Sequence, residues 1–260
     1  MNMLQLENIS KTFNKGSINE NKVFDNFNIN IDNGDFVCVV GSNGAGKSTF
    51  LNIVSGKVPV DSGRITLDKL DITREKEFER CKKISRIFQD PSLGTIPSMT
   101  IYENMSIAEN KGNSFGLSFL KEKKKEKHFK ELLEVFDLGL EDKLHNPVSQ
   151  LSGGQRQSLA LLIAVLGNPE LLLLDEHTAA LDPKTSEIVM DITNKIVKEK
   201  NLTTLMITHN IDHAIKYGNR IVMFHRGEIL IDLSGEEKER LTKEKLLSLF
   251  KDMNDRSFFS

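Results

Sequence analysis

The chain has 260 residues, a length typical of one large domain or two small ones. Hydrophobic residues make up 38% and charged residues 28%, which excludes a disordered chain and a membrane-embedded one by composition. Lys and Arg number 35 against 37 Asp and Glu, so we expect no nucleic-acid partner held by bulk charge. The N-terminal residues lack the pattern of a signal peptide, and no apolar run approaches the roughly 20 residues that span a bilayer.

The N-terminal part of the chain predicts strands separated by turns. Alternating apolar and polar residues at positions 4–9 and 27–31 predict two half-buried strands. The continuous apolar run at 36–40 predicts a strand buried on both faces, and the spacing over 47–54 predicts a helix. Shorter strands are predicted at residues 65–67 and 84–88.

The middle of the chain predicts helices, and the α/β pattern then returns. Residues 102–144 are rich in Lys, Glu, Leu and Phe with helical periodicity, which indicates an inserted helical part. Within it, residues 121–130 hold six Lys against two Glu, typical of a solvated helix face, with a contact to anionic lipid or nucleic acid as the alternative. After Pro147, helices are predicted at 155–166, 183–198 and 211–217, and strands at 171–174, 205–208 and 221–224. The pattern predicts a parallel α/β core, an N-terminal antiparallel portion and a helical insertion.

A glycine-rich loop separates the apolar run at 36–40 from the helix that follows it. It matches GxxxxGK[ST], which is typical of a phosphate-binding loop between a strand and a helix. Glycines let the backbone turn its N–H groups toward an anion, and the helix N-terminus adds a positive dipole. We expect Lys47 to reach the β- and γ-phosphates of a nucleotide and the Ser48 hydroxyl to bind Mg²⁺. The loop and the residue after it are Gly41, Ser42, Asn43, Gly44, Ala45, Gly46, Lys47, Ser48 and Thr49.

Two adjacent acids follow four leucines at residues 171–174. A buried strand would deliver Asp175 to its carboxyl end, where ligands bind in open α/β sheets. We expect Asp175 to hold Mg²⁺ through water, and Glu176 to polarise the water that attacks the γ-phosphate. Together with the phosphate-binding loop, this pair predicts a site that hydrolyses a nucleoside triphosphate.

A second helix start with anion-binding character precedes the helix at 155–166. Ser152 suits a helix N-cap, and the glycines after it leave backbone N–H groups open to an anion. One nucleotide does not need two such helix starts. The run Leu151, Ser152, Gly153, Gly154 and Gln155, between a phosphate-binding loop and a Leu-rich Asp-Glu strand, resembles the signature of the ATP-binding-cassette ATPases. The resemblance covers nearly the whole chain.

The resemblance implies further site residues. Gln89 resembles the glutamine that contacts Mg²⁺ and the attacking water, in a loop facing a transmembrane partner. His209 resembles the switch histidine that bonds the γ-phosphate, and residues 180–182 resemble the loop that crosses the dimer interface. Phe13 stands where an aromatic ring stacks on adenine, although the nearby Phe24 leaves a core role for Phe13 open.

The histidines outside this set have other interpretations. His177 stands where many members of the family carry Pro. It is interpreted as a turn residue, with an effect on the coupling of hydrolysis to dimer opening as the alternative. The histidines interpreted as surface or loop residues are His128, His145, His213 and His225.

The resemblance implies an α/β P-loop NTPase core with an N-terminal antiparallel β subdomain and an inserted helical subdomain. The core and the β subdomain are expected at about 1–90 and 156–250, and the helical subdomain at about 91–155. In this family two cassettes meet head to tail, and each ATP lies between the phosphate loop of one and the signature of the other. The chain carries one set of these motifs, so a second ATP-binding subunit is implied, either a second copy in a homodimer or a paralogue.

The resemblance also implies ATP and Mg²⁺ as cofactors, a separate transmembrane permease and a place at the cytoplasmic face of the membrane. Residues 89–105 and 177–180 are similar to a bacterial subgroup of import ATPases that work with a solute-binding lipoprotein on amino acids or related solutes. The alternatives are an exporter ATPase for lipid, peptide or drug, and a soluble cassette ATPase of DNA repair, translation or iron–sulfur assembly. A binding switch without turnover is a third, against which Glu176 and His209 argue.

Overall fold

The computed structural model of the protein describes residues 2–111 and 123–256. The strands are β1 (Asn2–Phe13), β2 (Asn21–Asp32), β3 (Phe36–Gly41), β4 (Ser62–Leu67), β5 (Leu70–Asp71), β6 (Ile84–Ile87), β7 (Leu171–Asp175), β8 (Thr203–Ile207), β9 (Arg220–His225) and β10 (Glu228–Ser234). The α-helices are α1 (Lys47–Val54), α2 (Glu77–Arg80), α3 (Ile101–Glu109), α4 (Lys123–Glu134), α5 (Gly153–Leu166), α6 (Pro183–Glu199), α7 (Ile211–Tyr217), α8 (Gly235–Glu239) and α9 (Lys243–Arg256). Short 3₁₀ turns cover Pro91–Gly94, Glu141–Lys143 and Val148–Gln150.

Two sheets organise these elements. The larger has the strand order β10-β9-β3-β8-β7-β6 and is parallel except at its β10–β9 edge. The smaller has the order β2-β1-β4-β5 and is antiparallel. The predicted parallel α/β core and N-terminal antiparallel portion are both confirmed.

The central strand β3 is buried on both of its faces. Val37 and Val39 pack with the four-stranded sheet and with Phe50 of α1, while Cys38 and Val40 belong to the cluster formed with the helices on the opposite face. Successive side chains of a strand point to opposite faces, so a strand between two layers must be apolar throughout. This accounts for the unbroken apolar run, and burial raises the pKa of the Cys38 thiol to about 12.

The strand β1 is longer than its sequence pattern indicates. Its pairing with β2 shifts register on both sides of Ile9, and Asn8 on β1 and Asn26 on β2 both have positive φ. A bulge inserts an extra residue and breaks the period-two alternation without ending the strand. Periodicity therefore ends at residue 9, whereas the strand continues to Phe13.

The helical part of the chain follows β6. Thr100 caps α3, and its hydroxyl and backbone N–H exchange hydrogen bonds with Glu103. Of the basic stretch, Lys121 and Glu122 lie outside the described residues, and Lys125 pairs with Glu109 at 2.6 Å. None of the helices in the described parts of the chain is both long and apolar enough to cross a bilayer.

Arg80 anchors the C-terminal end of α1, the helix that begins in the phosphate-binding motif. Its side chain is buried, and its guanidinium donates to the carbonyls of Ile53 at 2.8 Å, Val54 at 2.9 Å and Ile72 at 2.6 Å. The last carbonyls of a helix have no partner within the helix. Arg80 supplies that partner and ties the helix to the chain beside it, although nothing in the sequence pattern indicated this role.

Arg80→Met is expected to lower the free energy of unfolding by about 3 kcal/mol, because it leaves several buried carbonyls without donors. Urea unfolding followed by circular dichroism measures the change. Arg80→Lys retains the charge and some donors, so its loss should be smaller. A loss below about 1 kcal/mol for Arg80→Met, the size of an ordinary substitution, would contradict the anchoring role.

Candidate active site

The phosphate-binding motif forms a tight turn between β3 and α1. Gly41 has a φ of 147°, and a Cβ there would lie 2.3 Å from the carbonyl oxygen of Phe224 on the neighbouring strand β9. Gly46, the N-cap of α1, has a φ of 102°, a left-handed conformation that side chains disfavour. The glycines therefore serve the close approach of the backbone to β9 and the turn into the helix, and the helix N-terminus faces the cleft.

Lys47 lies inside the turn rather than on the surface. Its side chain is 6% exposed, and its ammonium donates to the carbonyls of Gly41 at 2.7 Å and Ser42 at 2.9 Å. Burial lowers the pKa of Lys47 from its ordinary value, and the charge of Glu176 acts in the opposite direction. The ammonium is thus partly desolvated beside the cleft. A phosphate bound there would favour its charged form.

A cleft of about 260 Å³ lies at the N-terminus of α1. Phe13 lines it together with Asn43–Thr49 of the motif, Glu176 and His209. Phe24 does not line it: that ring is 1% exposed and packs on Phe27 with 4.7 Å between centroids. Of the two aromatic candidates, Phe13 is the one with a face on the cleft.

Glu176 and His209 meet at the carboxyl edge of the large sheet. The Nε2 atom of His209 lies 2.7 Å from Oε1 of Glu176. The parallel register of β7 and β8 pairs Asp175 with Ile207, so the residues just beyond the two strands become neighbours. Glu176 has a φ of 49°, a left-handed conformation uncommon outside glycine, and such positions cluster at functional sites.

Asp175 is paired with an arginine side chain that the sequence pattern did not indicate. Arg86 of β6 donates from Nη2 to Oδ2 of Asp175 at 2.5 Å, and from Nη1 to Oδ1 of Asn52 on α1 at 2.7 Å. Asn52 lies one helical turn after Ser48, so the two residues share a face of α1. The face that carries Ser48 therefore looks toward the end of β7 that carries Asp175.

Gln89 lies beside this cleft in a separate groove of about 500 Å³. The groove is bordered by Gln89, Phe88, Leu93, Asp175 and Ala180, among others, and its lining is mainly apolar. Gln89 follows β6 and Asp175 ends β7, and these strands are neighbours in the sheet. Asp175 thus borders the groove of Gln89, while the next residue, Glu176, borders the cleft of Lys47.

The signature residues do not line the cleft of their own chain. Ser152 caps α5 by accepting from the backbone N–H of Gln155 at 3.3 Å, and Gln155 accepts from that of Ser152 at 3.2 Å, as the N-cap prediction requires. A Cβ on Gly154 would lie 2.2 Å from a methyl carbon of Thr185 on α6. Close packing of two helices therefore explains Gly154, and the N-terminus of α5 with Gly153 is presented away from the cleft lining.

Two histidines are more buried than their interpretation from sequence. His177 is 2% exposed, its Nε2 lies 3.4 Å from the Thr193 hydroxyl, and burial lowers its pKa to about 3. The surface interpretation of His213 is wrong. This residue of α7 is also 2% exposed, and its Nε2 lies 2.9 Å from a carboxylate oxygen of Glu187 on α6. The side of α7 that carries it faces α6, which periodicity over seven residues did not resolve.

The side chains near Asp175 fit a magnesium ion. Magnesium prefers oxygen ligands and is commonly held by one or two carboxylates together with substrate phosphates. The hydroxyl of Ser48, which lines the cleft, and the carboxylate of Asp175 and the amide oxygen of Gln89, which line the groove, are oxygen donors of this kind and would be the ones to hold it. No cluster of three or more His, Cys, Asp and Glu suited to a metal occurs in the described ranges, so an ion here would depend on the phosphates as well.

Comparison with known proteins places this geometry in a family. Residues 24–179 match the family described as ABC transporter. The tyrosine transport ATP-binding protein of Clostridioides difficile (strain R20291) is 52% identical over 248 residues, which cover 95% of this chain and 98% of that protein. The phosphonates import ATP-binding protein PhnC of Lactococcus lactis subsp. cremoris (strain SK11) is 34% identical over 96% of this chain and 99% of its own.

A solved structure agrees with these matches. The dimeric post-hydrolysis state of the ATP-binding cassette MJ0796, bound to ADP and Pi, superposes with a TM-score of 0.75 at 31% identity. The alignment covers 89% of this chain and 98% of that one.

The fold and the site define a nucleotide-binding ATPase of the P-loop class. The chain belongs to the ABC transporter family, as the ATPase subunit of an import-type transporter. The resemblance to the ATP-binding-cassette ATPases, the P-loop fold and the ATPase activity coupled to transport are thereby confirmed. The expected subdomain boundaries at about 90 and 155 stay predictions.

Proposed function

We propose that the cleft between Phe13 and Lys47 binds ATP and that the chain hydrolyses it there. Phe13 offers a ring face to adenine, and the N-terminus of α1 with Lys47 offers donors and positive charge to the phosphates. The contact of Glu176 with His209 at 2.7 Å carries the hydrolytic part of the proposal. It holds the Glu176 carboxylate at the cleft beside an imidazole with which it can share a proton.

The side chains at the cleft have different tasks in this proposal. Glu176 accepts hydrogen bonding from the attacking water, and His209 orients that carboxylate and contacts the γ-phosphate. Ser48, Asp175 and Gln89 would hold Mg²⁺, which supplies charge neutralisation of the phosphates when bound. Gln89, at the start of the loop along the apolar groove, would report the state of the site to a permease seated there.

We propose further that two copies of the chain complete two sites head to tail. The support is that Ser152 and Gly153 do not line the cleft of their own chain, although the first N–H groups of a helix such as α5 have no partners within the helix. The dimer of the MJ0796 cassette is consistent with this arrangement. The partners of the dimer would be a transmembrane permease and a solute-binding lipoprotein, with the ATPase at the cytoplasmic face of the membrane.

The cargo we propose is an amino acid, with tyrosine or a related aromatic amino acid as the first candidate. The observation that carries this is the 52% identity with the tyrosine transport ATP-binding protein over 98% of its length. The identity to the phosphonates import protein is lower, at 34%.

Uptake by a reconstituted transporter tests the proposal. The membrane protein that co-purifies with the tagged chain is placed in proteoliposomes with the chain and ATP at the outer face, which corresponds to the cytoplasm. With the solute-binding protein enclosed in the lumen, labelled tyrosine should move from the lumen to the outer, ATP-containing solution. Choline and a phosphonate should not. Transport of choline or a phosphonate in place of tyrosine would refute the proposed cargo. Recovery of the chain only with ribosomes or DNA would refute its role in a transporter.

A further inference from the structure

We propose that Arg86 is a positioning residue that competes with Mg²⁺ for Asp175 and thereby sets the magnesium dependence of nucleotide binding. This inference rests on the proposed function, because it takes Asp175 as a ligand of the metal. The observation behind it is the contact between Nη2 of Arg86 and Oδ2 of Asp175 at 2.5 Å, with both side chains largely buried.

The guanidinium of Arg86 contacts three residues around the proposed magnesium ligands. Its guanidinium reaches Asp175, the Asn52 amide on the Ser48 face of α1, and the ring of Phe88, whose centroid lies 4.9 Å from Cζ. Phe88 directly precedes Gln89. One side chain therefore touches the carboxylate, the helix and the strand end that together carry the three proposed magnesium ligands.

Arg80 shows what a structural arginine of this chain looks like. Within the described ranges its guanidinium donates to backbone carbonyls only, those of Ile53, Val54, Ile72, Thr73 and Glu75. Arg86 instead bonds to side chains, and its Nε is buried without a hydrogen-bond partner in the described residues. The group is therefore placed for its charge at Asp175 rather than for the fullest set of hydrogen bonds.

The sign of the effect follows from charge. A guanidinium and a divalent cation are attracted to the same carboxylate and repel each other, and the partly buried setting weakens the screening between them. Arg86 bonds to Oδ2 and so leaves Oδ1 of Asp175 as the oxygen that can turn toward a metal-bound water. Removing the positive charge should make magnesium bind more tightly. In the magnesium-free protein, the same change leaves the Asp175 carboxylate unpaired, which lowers stability.

The test is the thermal unfolding of Arg86→Gln with ADP and increasing Mg²⁺, followed by circular dichroism. We expect the Mg²⁺ concentration that gives half of the added stabilisation to fall about tenfold, because a like charge near the metal is gone. In EDTA without nucleotide, the unfolding temperature should fall below that of the wild type. A purely structural arginine would lower that temperature and leave the magnesium midpoint unchanged.

Three further variants sharpen the test. Arg86→Lys retains the charge and should keep a midpoint near that of the wild type. Arg64→Gln removes an exposed cation that pairs with Asp71 at 2.9 Å on the antiparallel sheet, so its midpoint should not move. Asn52→Ala releases the second anchor of Arg86, which should move the midpoint in the direction of Arg86→Gln by a smaller factor.

The outcomes separate this inference from the proposed function. If ADP raises the unfolding temperature of neither protein, in EDTA or with Mg²⁺, the assigned cleft is wrong and the role of Arg86 falls with it. If ADP stabilises both proteins but Arg86→Gln has the wild-type midpoint or a higher one, the competition is refuted and the cleft stands. Should Arg86→Gln not fold, an unchanged midpoint in Asn52→Ala refutes the competition.

Discussion

Glu176→Gln is expected to lower the rate of ATP hydrolysis by a factor of about 100 to 10,000, the range found for the loss of a general base. Gln has the size of Glu and can still accept a hydrogen bond from His209, but it cannot take a proton from water. Binding of ATP should persist, because the phosphate contacts that we propose come from Lys47 and the N-terminus of α1. Release of phosphate measures the rate, and equilibrium binding of a fluorescent ATP analogue measures the affinity.

A second carboxylate, at the other end of the same strand, provides the control. Glu170 precedes the opposite end of β7 and pairs with Lys83 at 3.0 Å, away from the cleft. Glu170→Gln removes the same charge and should hydrolyse ATP at the wild-type rate. Hydrolysis by Glu176→Gln at the wild-type rate would show that the general base is another residue.

Lys47→Ala should weaken ATP binding by about 10-fold to 100-fold, since hydrogen bonds to charged groups are worth about 1.5–3 kcal/mol each. The lost ammonium is already largely buried and lies against the carbonyls of Gly41 and Ser42, so it gives up little further hydration when a phosphate binds. Titration of the fluorescent analogue in EDTA isolates the contribution of Lys47 from that of magnesium.

The loop itself must be intact for this comparison. Because the Lys47 ammonium also satisfies two carbonyls of the loop, the circular dichroism spectrum and the unfolding temperature of Lys47→Ala are recorded first. Lys57, exposed just beyond α1, provides the matched control, and Lys57→Ala should bind ATP as the wild type does. Equal affinities for Lys47→Ala and Lys57→Ala would contradict the phosphate contact.

The motifs of the site could be predicted from the sequence because each is local. A phosphate-binding loop needs a strand, a set of glycines and a helix start within a dozen residues, and spacing alone expresses that requirement. The helices Lys47–Val54 and Ile211–Tyr217 were likewise predicted with the bounds that the structure has. The N-cap at Ser152 was predicted for the same reason, since capping involves residues three positions apart.

Features that depend on distant residues were not predictable in this way. Arg86 is 89 positions from Asp175 and Arg80 is 26 positions from Val54, and no periodicity links such pairs. The helices α8 and α9 were not predicted. The turn at Arg226 and Gly227 predicts a hairpin, which the antiparallel pairing of β9 and β10 confirms. The bounds of β10 were not predicted, because its side chains are exposed or half-buried along its whole length and its apolar signal is weak. The burial of His213 depends on the approach of α6, which lies outside the window that its own helix offers.

The sequence by itself determined the class of this protein, because the phosphate loop, the signature and the Leu-rich Asp-Glu strand each carry their chemistry within a few residues. Only the tertiary structure decided which side chains meet. The strand order β3-β8-β7 and the pairing of Asp175 with Ile207 bring Glu176 beside His209, and β6 next to β7 brings Arg86 to Asp175. The physical reason is that parallel strands align their carboxyl ends at one edge, where residues far apart in the chain share a single electrostatic environment.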